Sequence, residues 1–215
     1  MDYKKFQEYE QRALSTVYEE GRDSFHNEII PILVEKYLTA FGIDKTARIL
    51  DIGCGPGQFL QTAQTLGYTN TVGVTLSPED LQACEAQGFA TLSANMSDLP
   101  LEDSSVDFIW CRHALEHSPY PLFTLFEFAR VLKPNCKMYV EVPAPDNERV
   151  MLGEYNPNHY SVLGENMWTA LFMKVGFEIM STEGYAIDIV QLGRVWKEKS
   201  YIFGIKKGSN GLRKI

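Results

Sequence analysis

The stretch Leu50 to Leu60, LDIGCGPGQFL, decides the fold. Residues 48–52 read as a buried strand, Gly53, Gly55 and Gly57 follow within five positions, and a helix opens at Gln58. Glycines at this spacing let the chain turn sharply and bring its backbone close to a ligand, while the free N–H groups of the following helix attract negative charge. The pattern describes a small-molecule cradle. A dinucleotide site would show G-x-G-x-x-G, with an acid about twenty residues on to hold the ribose. Here the spacing is G-x-G-x-G and the acid, Asp51, precedes the loop. An anion in that place suits a ligand that carries a positive group beside a carboxylate.

Working outward, strands alternate with helices. Strands are expected near 48–52, 71–75, 89–93, 106–111, 137–142, 177–181 and 199–206, and helices near 57–66, 78–87, 121–132 and 162–175. The alternation predicts an α/β fold: a doubly wound, seven-stranded, mostly parallel sheet with helices on both faces. Ligands in such sheets sit beyond the carboxyl ends of the strands, where the loops after strands 1, 2, 4 and 5 converge. Residues 1–20 show polar and aromatic helical spacing, and Asp23-Ser24 reads as the N-cap of a second helix running to about Phe41. Residues 1–42 are therefore expected to form an N-terminal helical extension capping a single domain over 43–215.

With 215 residues, 45% of them hydrophobic, the chain can bury one substantial core. A net charge of −8 works against a nucleic-acid partner, because that affinity is carried by Lys and Arg releasing counterions. Cys54, Cys84, Cys111 and Cys136 are scattered, with no C-x-x-C pair, as reduced thiols of a cytoplasmic protein would be. The N-terminus is polar, so no export signal is expected. No apolar run approaches the roughly 20 residues needed to span a bilayer, so no membrane partner is expected.

The glycine loop resembles motif I of the class I S-adenosylmethionine (SAM)-dependent methyltransferases of the small-molecule type. Two further stretches extend the likeness: Asn95 to Asp107, NMSDLPLEDSSVD, resembles the family signature D-A-x-x-L-P-F-x-D-x-S-F-D, and Arg130 to Pro134, RVLKP, resembles the segment before its fifth strand. The resemblance covers roughly residues 43–203. It implies a Rossmann-like fold with SAM as cofactor and S-adenosylhomocysteine as product, cradled by Asp51, Gly53, Cys54, Gly55 and Gly57. Thr75 stands where the family usually has an acid gripping both ribose hydroxyls. The T-L-S sequence is similar to that of cyclopropane fatty-acid synthases, by which Thr75, with Leu76 beside it, and Asp80 would hold the ribose. The same residues read locally as a helix start, with Ser77 as N-cap, Pro78 at the first position, and Glu79 and Asp80 as favourable charges. Asn95 falls at the position of the family's adenine-binding Asp, and its carbonyl can accept from the adenine amino group. Met96 would pack on the adenine face. A loop asparagine and a core methionine are the structural alternative.

Trp110 to His117, WCRHALEH, carries the candidate chemistry. By the resemblance, Cys111, Arg112 and His113 sit near the sulfonium, and Glu116-His117 resembles a doublet that lines the acceptor site in ubiquinone-type O-methyltransferases. His159, in NPNHY after strand 5, lies in a region that borders the acceptor site in the superfamily. His117 is the first choice of base and His159 the second, with Glu116 beside them. His113, Glu116, His117 and His159 are also metal-ligand types, which leaves a metal-assisted O-methyltransferase open, although no zinc-type spacing supports it and no metal is assigned. Bracing of a helix by Glu116 and His117 is the plainer alternative. Tyr155, Tyr160 and Trp168 are acceptor-pocket candidates, and PLFTLFEFARVL reads as a core helix. Pro134-Asn135-Cys136 replaces the family's P-G-G turn; Asn tolerates a left-handed backbone, Cys less readily.

The expected function is methyl transfer from SAM to an oxygen or nitrogen of a small-molecule acceptor, such as a sugar or similar metabolite. A SAM-binding regulatory subunit without catalysis is the rival, given the departures at Thr75, Asn95 and Cys136. A cyclopropane-type lipid enzyme is a third reading, for which the chain is short.

Overall fold

A computed structural model of the chain describes residues 3–13, 24–148, 153, 156–191 and 194–209. In chain order its elements are α1 (Tyr3–Ala13), α2 (Ser24–Ala40), β1 (Ile49–Ile52), α3 (Gln58–Thr65), β2 (Thr71–Thr75), α4 (Pro78–Ala86) and β3 (Ala90–Ser93). They continue with β4 (Val106–Arg112), a 3-10 turn (Leu115–His117), α5 (Pro121–Val131), β5 (Leu132–Pro143), α6 (Glu165–Val175), β6 (Phe177–Gln191) and β7 (Arg194–Lys207). One sheet takes the order β3-β2-β1-β4-β5-β7-β6. The first five strands run parallel, and β7 lies antiparallel between β5 and β6. This is the doubly wound, Rossmann-like arrangement expected from the alternation, with the chain reversing direction across β1 and β4 at the centre.

Strand alternation divides the apolar residues between two faces. On one, Leu50, Ile52, Ile109, Val140 and Phe203 pack with Phe128 of α5 and Phe172 of α6. On the other, Ile49, Phe108, Trp110 and Tyr139 pack with Val34 and Leu38 of α2 and Leu60 of α3. Trp110 stacks on Tyr139 with ring centroids 3.9 Å apart and on Phe59 at 5.0 Å, so the middle of the sheet is pinned to α3 by aromatic faces. All four residues of β1 are buried, which is why its sequence is a continuous apolar run broken only by Asp51.

Two of the family-like stretches form one brace. The Arg130 guanidinium donates to the carbonyls of Leu99 and Leu101 and to Asp103 and Glu127, at 2.6–2.9 Å. It therefore clamps the loop leaving β3 onto α5.

Three boundaries differ from expectation. β5 begins at Leu132, because Leu132 pairs with Val106 before the register jumps to Lys137 opposite Phe108. Asn135 absorbs that jump at φ +63°, as an asparagine in a left-handed position does. β6 and β7 run as a long hairpin, paired from Phe177 with Lys207 to Gln191 with Arg194. Its outer half, beyond Tyr185 and Ser200, meets no β5 partner, so nothing requires it to carry the apolar run that marks a buried strand. The second helix starts at Ser24; its expected cap partner Asp23 and the candidate Tyr155 lie outside the described residues.

Phe108 is fully buried at the junction of α2 and the sheet. Phe108→Ala should lower unfolding free energy by about 3–5 kcal/mol, read as a fall in the urea midpoint at unchanged slope.

Candidate active site

The glycines of the loop after β1 have distinct jobs. Gly53 sits at φ +71°, and a Cβ there would lie 2.6 Å from Cβ of Ala114, so the loop presses directly against the turn after β4. Gly57, at φ +95°, leads into α3; its Cβ would meet Cys84 Sγ and the Phe89 ring at 3.1 Å. Gly55, at φ +50°, differs, since the nearest atom to an added Cβ is Gln58 Oε1 at 3.8 Å. Its open side belongs to a cleft.

That cleft, about 230 Å³, lies beyond the carboxyl ends of β1, β2 and β4, where the chain reverses direction. Asp51, Gly53, Cys54 and Gly55 form its floor, with Thr75, Leu76 and Asp80 along one wall. Asn95 and Met96 line the next wall, and Arg112, His113 and His117 the side facing them. Gly57, Cys111, Glu116 and His159 do not border it. Strand alternation turns Cys111 into the core facing α5 and α6, where it is wholly buried. Gly57 is covered by Cys84 and Phe89, and Glu116 stands behind His117 with no exposure. Trp168 is likewise core, whereas Tyr160 reaches the cleft.

Both local readings of the β2 exit hold together. Ser77 Oγ accepts from the Asp80 backbone N–H at 3.2 Å as the cap of α4, and Thr75 Oγ1 accepts from the Ser77 N–H at 3.1 Å. Thr75 and Asp80 still border the cleft. Asn95 is also engaged: its carbonyl accepts from the Ser97 N–H at 2.9 Å, and its amide donates to Glu10 of α1 at 3.1 Å. Tyr160 donates to the Ala13 carbonyl at 2.7 Å. These contacts lay α1 across the cleft, and Glu10 and Ala13 line it. Sequence reasoning missed both residues, because a polar amphipathic helix carries no mark of what it covers.

Two buried carboxyl groups, Asp51 and Glu141, set the electrostatics of the site. Asp51 is buried at the cleft floor, and its Oδ2 has no hydrogen-bond partner among the described residues. Burial, with Cys84 adding to it, raises its pKa well above the usual carboxylate range. A cation arriving beside it would favour the charged form.

Glu141, also fully buried, is richly served. It accepts from Arg112 Nε and His113 Nε2, both at 2.9 Å, from Tyr139 at 2.6 Å, and from Tyr185. Burial works against its charge, but Arg112 and His113 outweigh that and hold its pKa below the ordinary value. In return, although burial opposes the charged ring, Glu141 and Glu116 push His113 up to about 10. His113 is thus an imidazolium at neutral pH, held in a left-handed backbone conformation of φ +47°. That backbone bend starts the turn that presents Glu116 and His117. The Arg112 side chain borders the cleft with its Nε committed to Glu141.

The turn meets the segment carrying His159 through a buried polar seam. The Ser161 N–H donates to the Glu116 carbonyl at 2.9 Å, and Ser161 Oγ to that of Ser118 at 2.8 Å. The rings of His117 and His159 consequently stand edge to face, 4.7 Å apart. His117 Nδ1 lies 3.0 Å from the Asn158 carbonyl. A carbonyl only accepts, so Nδ1 carries the hydrogen, and in the neutral ring Nε2 keeps its lone pair.

The sheet order and the cleft at its reversal point define a Rossmann-like α/β protein of the doubly wound type. Residues 50–140 match the family model described as a methyltransferase domain. It is 26% identical over 153 residues to the 27-O-demethylrifamycin SV methyltransferase of Amycolatopsis mediterranei, covering 63% of this chain and 56% of that protein. It is 32% identical over 101 residues to a ubiquinone biosynthesis O-methyltransferase of Xanthomonas oryzae pv. oryzae, covering 44% of this chain and 42% of the relative. The chain thus spans about half the length of these curated relatives. A SAM-dependent methyltransferase from Archaeoglobus fulgidus shares the fold with a TM-score of 0.68 at 19% identity, covering 96% of this chain and all of that one. SAM, for which that Archaeoglobus fulgidus protein is named, would fit the residues present here: the Asp51 oxygen left unpaired among the described residues suits its amine, and the open face of Gly55 lets a ligand approach the backbone.

Removing the charge of Glu141 leaves Arg112 and His113 buried without their counter-ion. Glu141→Gln should cost about 3–5 kcal/mol of stability, against roughly 1.5–3 kcal/mol for Tyr139→Phe, which removes one hydrogen bond to a charged group. Denaturant unfolding of both variants measures the difference.

Proposed function

We propose that this domain transfers a methyl group from SAM to an oxygen or nitrogen of a small-molecule acceptor, a hydroxylated metabolite being the best match. The observation that carries the reading is one cleft with two chemically different ends. Asp51 and Gly55 form a floor suited to an amino acid moiety, and the His117 wall can manage an acceptor's proton. When bound, SAM supplies a methyl on a sulfonium that is already a good leaving group, so the protein's work is approximation and orientation.

Each side of the cleft has its part in that work. The Asp51 carboxylate would hold the amine, and Thr75 and Asp80 the ribose. Asn95 and Met96 would bracket the adenine under α1, which excludes water from that end. The Asn158 carbonyl fixes the His117 ring so that Nε2 is the nitrogen able to take a proton from an acceptor hydroxyl. Two relatives named for O-methylation or methylation of small molecules support an acceptor of that class. The negative net charge does not favour a nucleic acid. A binding-only subunit is distinguished by turnover, since only an enzyme forms S-adenosylhomocysteine with an acceptor present.

Calorimetric titration should show one SAM site. Gly55→Val should remove it, because a branched side chain at φ +50° is strained and fills the open face. Thr75→Asp should retain or tighten it, since a carboxylate can accept the Ser77 N–H and still make charge-assisted bonds to ribose hydroxyls. Loss of SAM binding in a folded Thr75→Asp protein would remove Thr75 from the ribose site.

His117→Ala should leave SAM affinity within a few-fold and depress turnover by about 10² to 10⁴-fold. Equal loss of binding and turnover would place His117 in the scaffold of the cofactor pocket.

A further inference from the structure

Glu116 is the least expected side chain in the molecule. It is wholly buried on the short turn after β4, and neither carboxylate oxygen accepts a hydrogen bond among the described residues. Among the described residues it forms an ion pair with His113, whose Nδ1 lies 3.3 Å from Oε1. A buried carboxylate normally receives several donors, and leaving its lone pairs without them costs free energy. On the side away from His113 it faces His117 and His159, and ligand atoms of these three residues lie within 4.8 Å of one another.

We infer that Glu116, His117 and His159 form a binding site for one divalent transition-metal ion, placed at the cleft wall where the acceptor would sit. The inference rests on the proposed methyl-transfer reading for its purpose, though not for its geometry. Two imidazoles and one carboxylate form a set used by Zn²⁺ and its neighbours in sites that keep a position open, whereas Mg²⁺ prefers oxygen ligands and water.

Local chemistry agrees with the assignment. Metal-ligating histidines usually donate their other ring N–H to a carbonyl or carboxylate, and the Asn158 carbonyl beside Nδ1 gives His117 that arrangement. Bonds of about 2.1 Å in a tetrahedral arrangement put ligand atoms about 3.4 Å apart. A spread of at most 4.8 Å would have to close by up to about 1.4 Å as the side chains rotate onto the ion. His113 is not a ligand, because its two ring nitrogens face Glu141 at 2.9 Å and Glu116 at 3.3 Å; it orients Glu116 from behind.

His117 is the ligand that borders the cleft, so an ion held there would reach an acceptor oxygen. Coordination lowers the pKa of a bound hydroxyl, as it lowers that of zinc-bound water to about 7. The hydroxyl proton would leave to solvent water, and the ion would hold the oxygen as an alkoxide. His117 would then assist the acceptor as a ligand and not by taking the proton itself.

The test is titration of chelator-treated, full-length protein with Co²⁺, followed by its visible absorption, with Zn²⁺ and Mg²⁺ as competitors. The expected result is one site that Zn²⁺ empties and Mg²⁺ does not. His159→Ala and His117→Ala should each weaken Co²⁺ binding by more than the roughly 10–100-fold typical of losing an outer-shell partner. His26→Ala, at the remaining histidine, should leave it unchanged. Circular dichroism and a SAM titration on each variant establish that it is folded. No stoichiometric Co²⁺ uptake, uptake retained in both folded variants, or equal competition by Mg²⁺ would overturn the inference. Because the metal titration contains no SAM, turnover without metal uptake would sink this site alone and leave the methyl-transfer reading standing. Metal uptake in a protein that ignores SAM would support the site and sink that reading.

Discussion

One buried carboxylate, Glu141, organises the reactive side of the cleft. It lies on a central parallel strand with no access to solvent, so its charge is tolerable only while Arg112, His113, Tyr139 and Tyr185 all converge on it. Their convergence ties β4, β5 and β6 together at the end of the sheet where ligands bind. It also fixes His113 in a left-handed backbone conformation that few residues other than glycine adopt. From that bend follow the 3-10 turn, the burial of Glu116 and the presentation of His117. A neutral residue at 141 would remove the counter-charge for Arg112 and His113 and, with it, the reason for the turn to take this path.

The opposite side of the cleft depends on close approach instead of charge. Gly53 lets the loop after β1 touch Ala114, and Gly73 lets Cys54 and Leu60 lie against β2, each where a Cβ would come closer than about 3 Å to a neighbour. Gly55 alone keeps open space above it. Of the three glycines in the loop, two therefore serve packing and one faces the open cleft, a division that spacing by itself does not express.

Most of the sheet was legible because parallel strands buried on both faces leave continuous apolar runs, and Gly, Ser-Pro and Tyr-Pro punctuation marks the helices between them. The hairpin of β6 and β7 was read too short, since its outer half meets no β5 partner and need not carry the apolar run of a buried strand. Of the cleft-lining residues, Asp51, Gly55, Thr75 and His117 were singled out from local pattern and family likeness. Glu141 was not singled out, although a lone charge inside the apolar run of β5 is the signal that could have found it. Glu10 and Ala13 had no such signal. Their place over the cleft comes from contacts with Asn95 and Tyr160, which lie 85 and 147 positions away in the chain.

The central claim is that the cleft floor recognises the charged amine of SAM through the Asp51 oxygen left unpaired among the described residues. Calorimetry with S-adenosylhomocysteine and with its analogue lacking the amino group, on the native protein and on Asp51→Asn, tests it most directly. The account predicts that the native protein prefers the amine-bearing ligand, and that Asp51→Asn loses this preference while binding the deaminated analogue about as well as before. Equal weakening of both ligands in a folded Asp51→Asn protein would contradict it, because Asp51 would then be shaping the loop and not reading the amine.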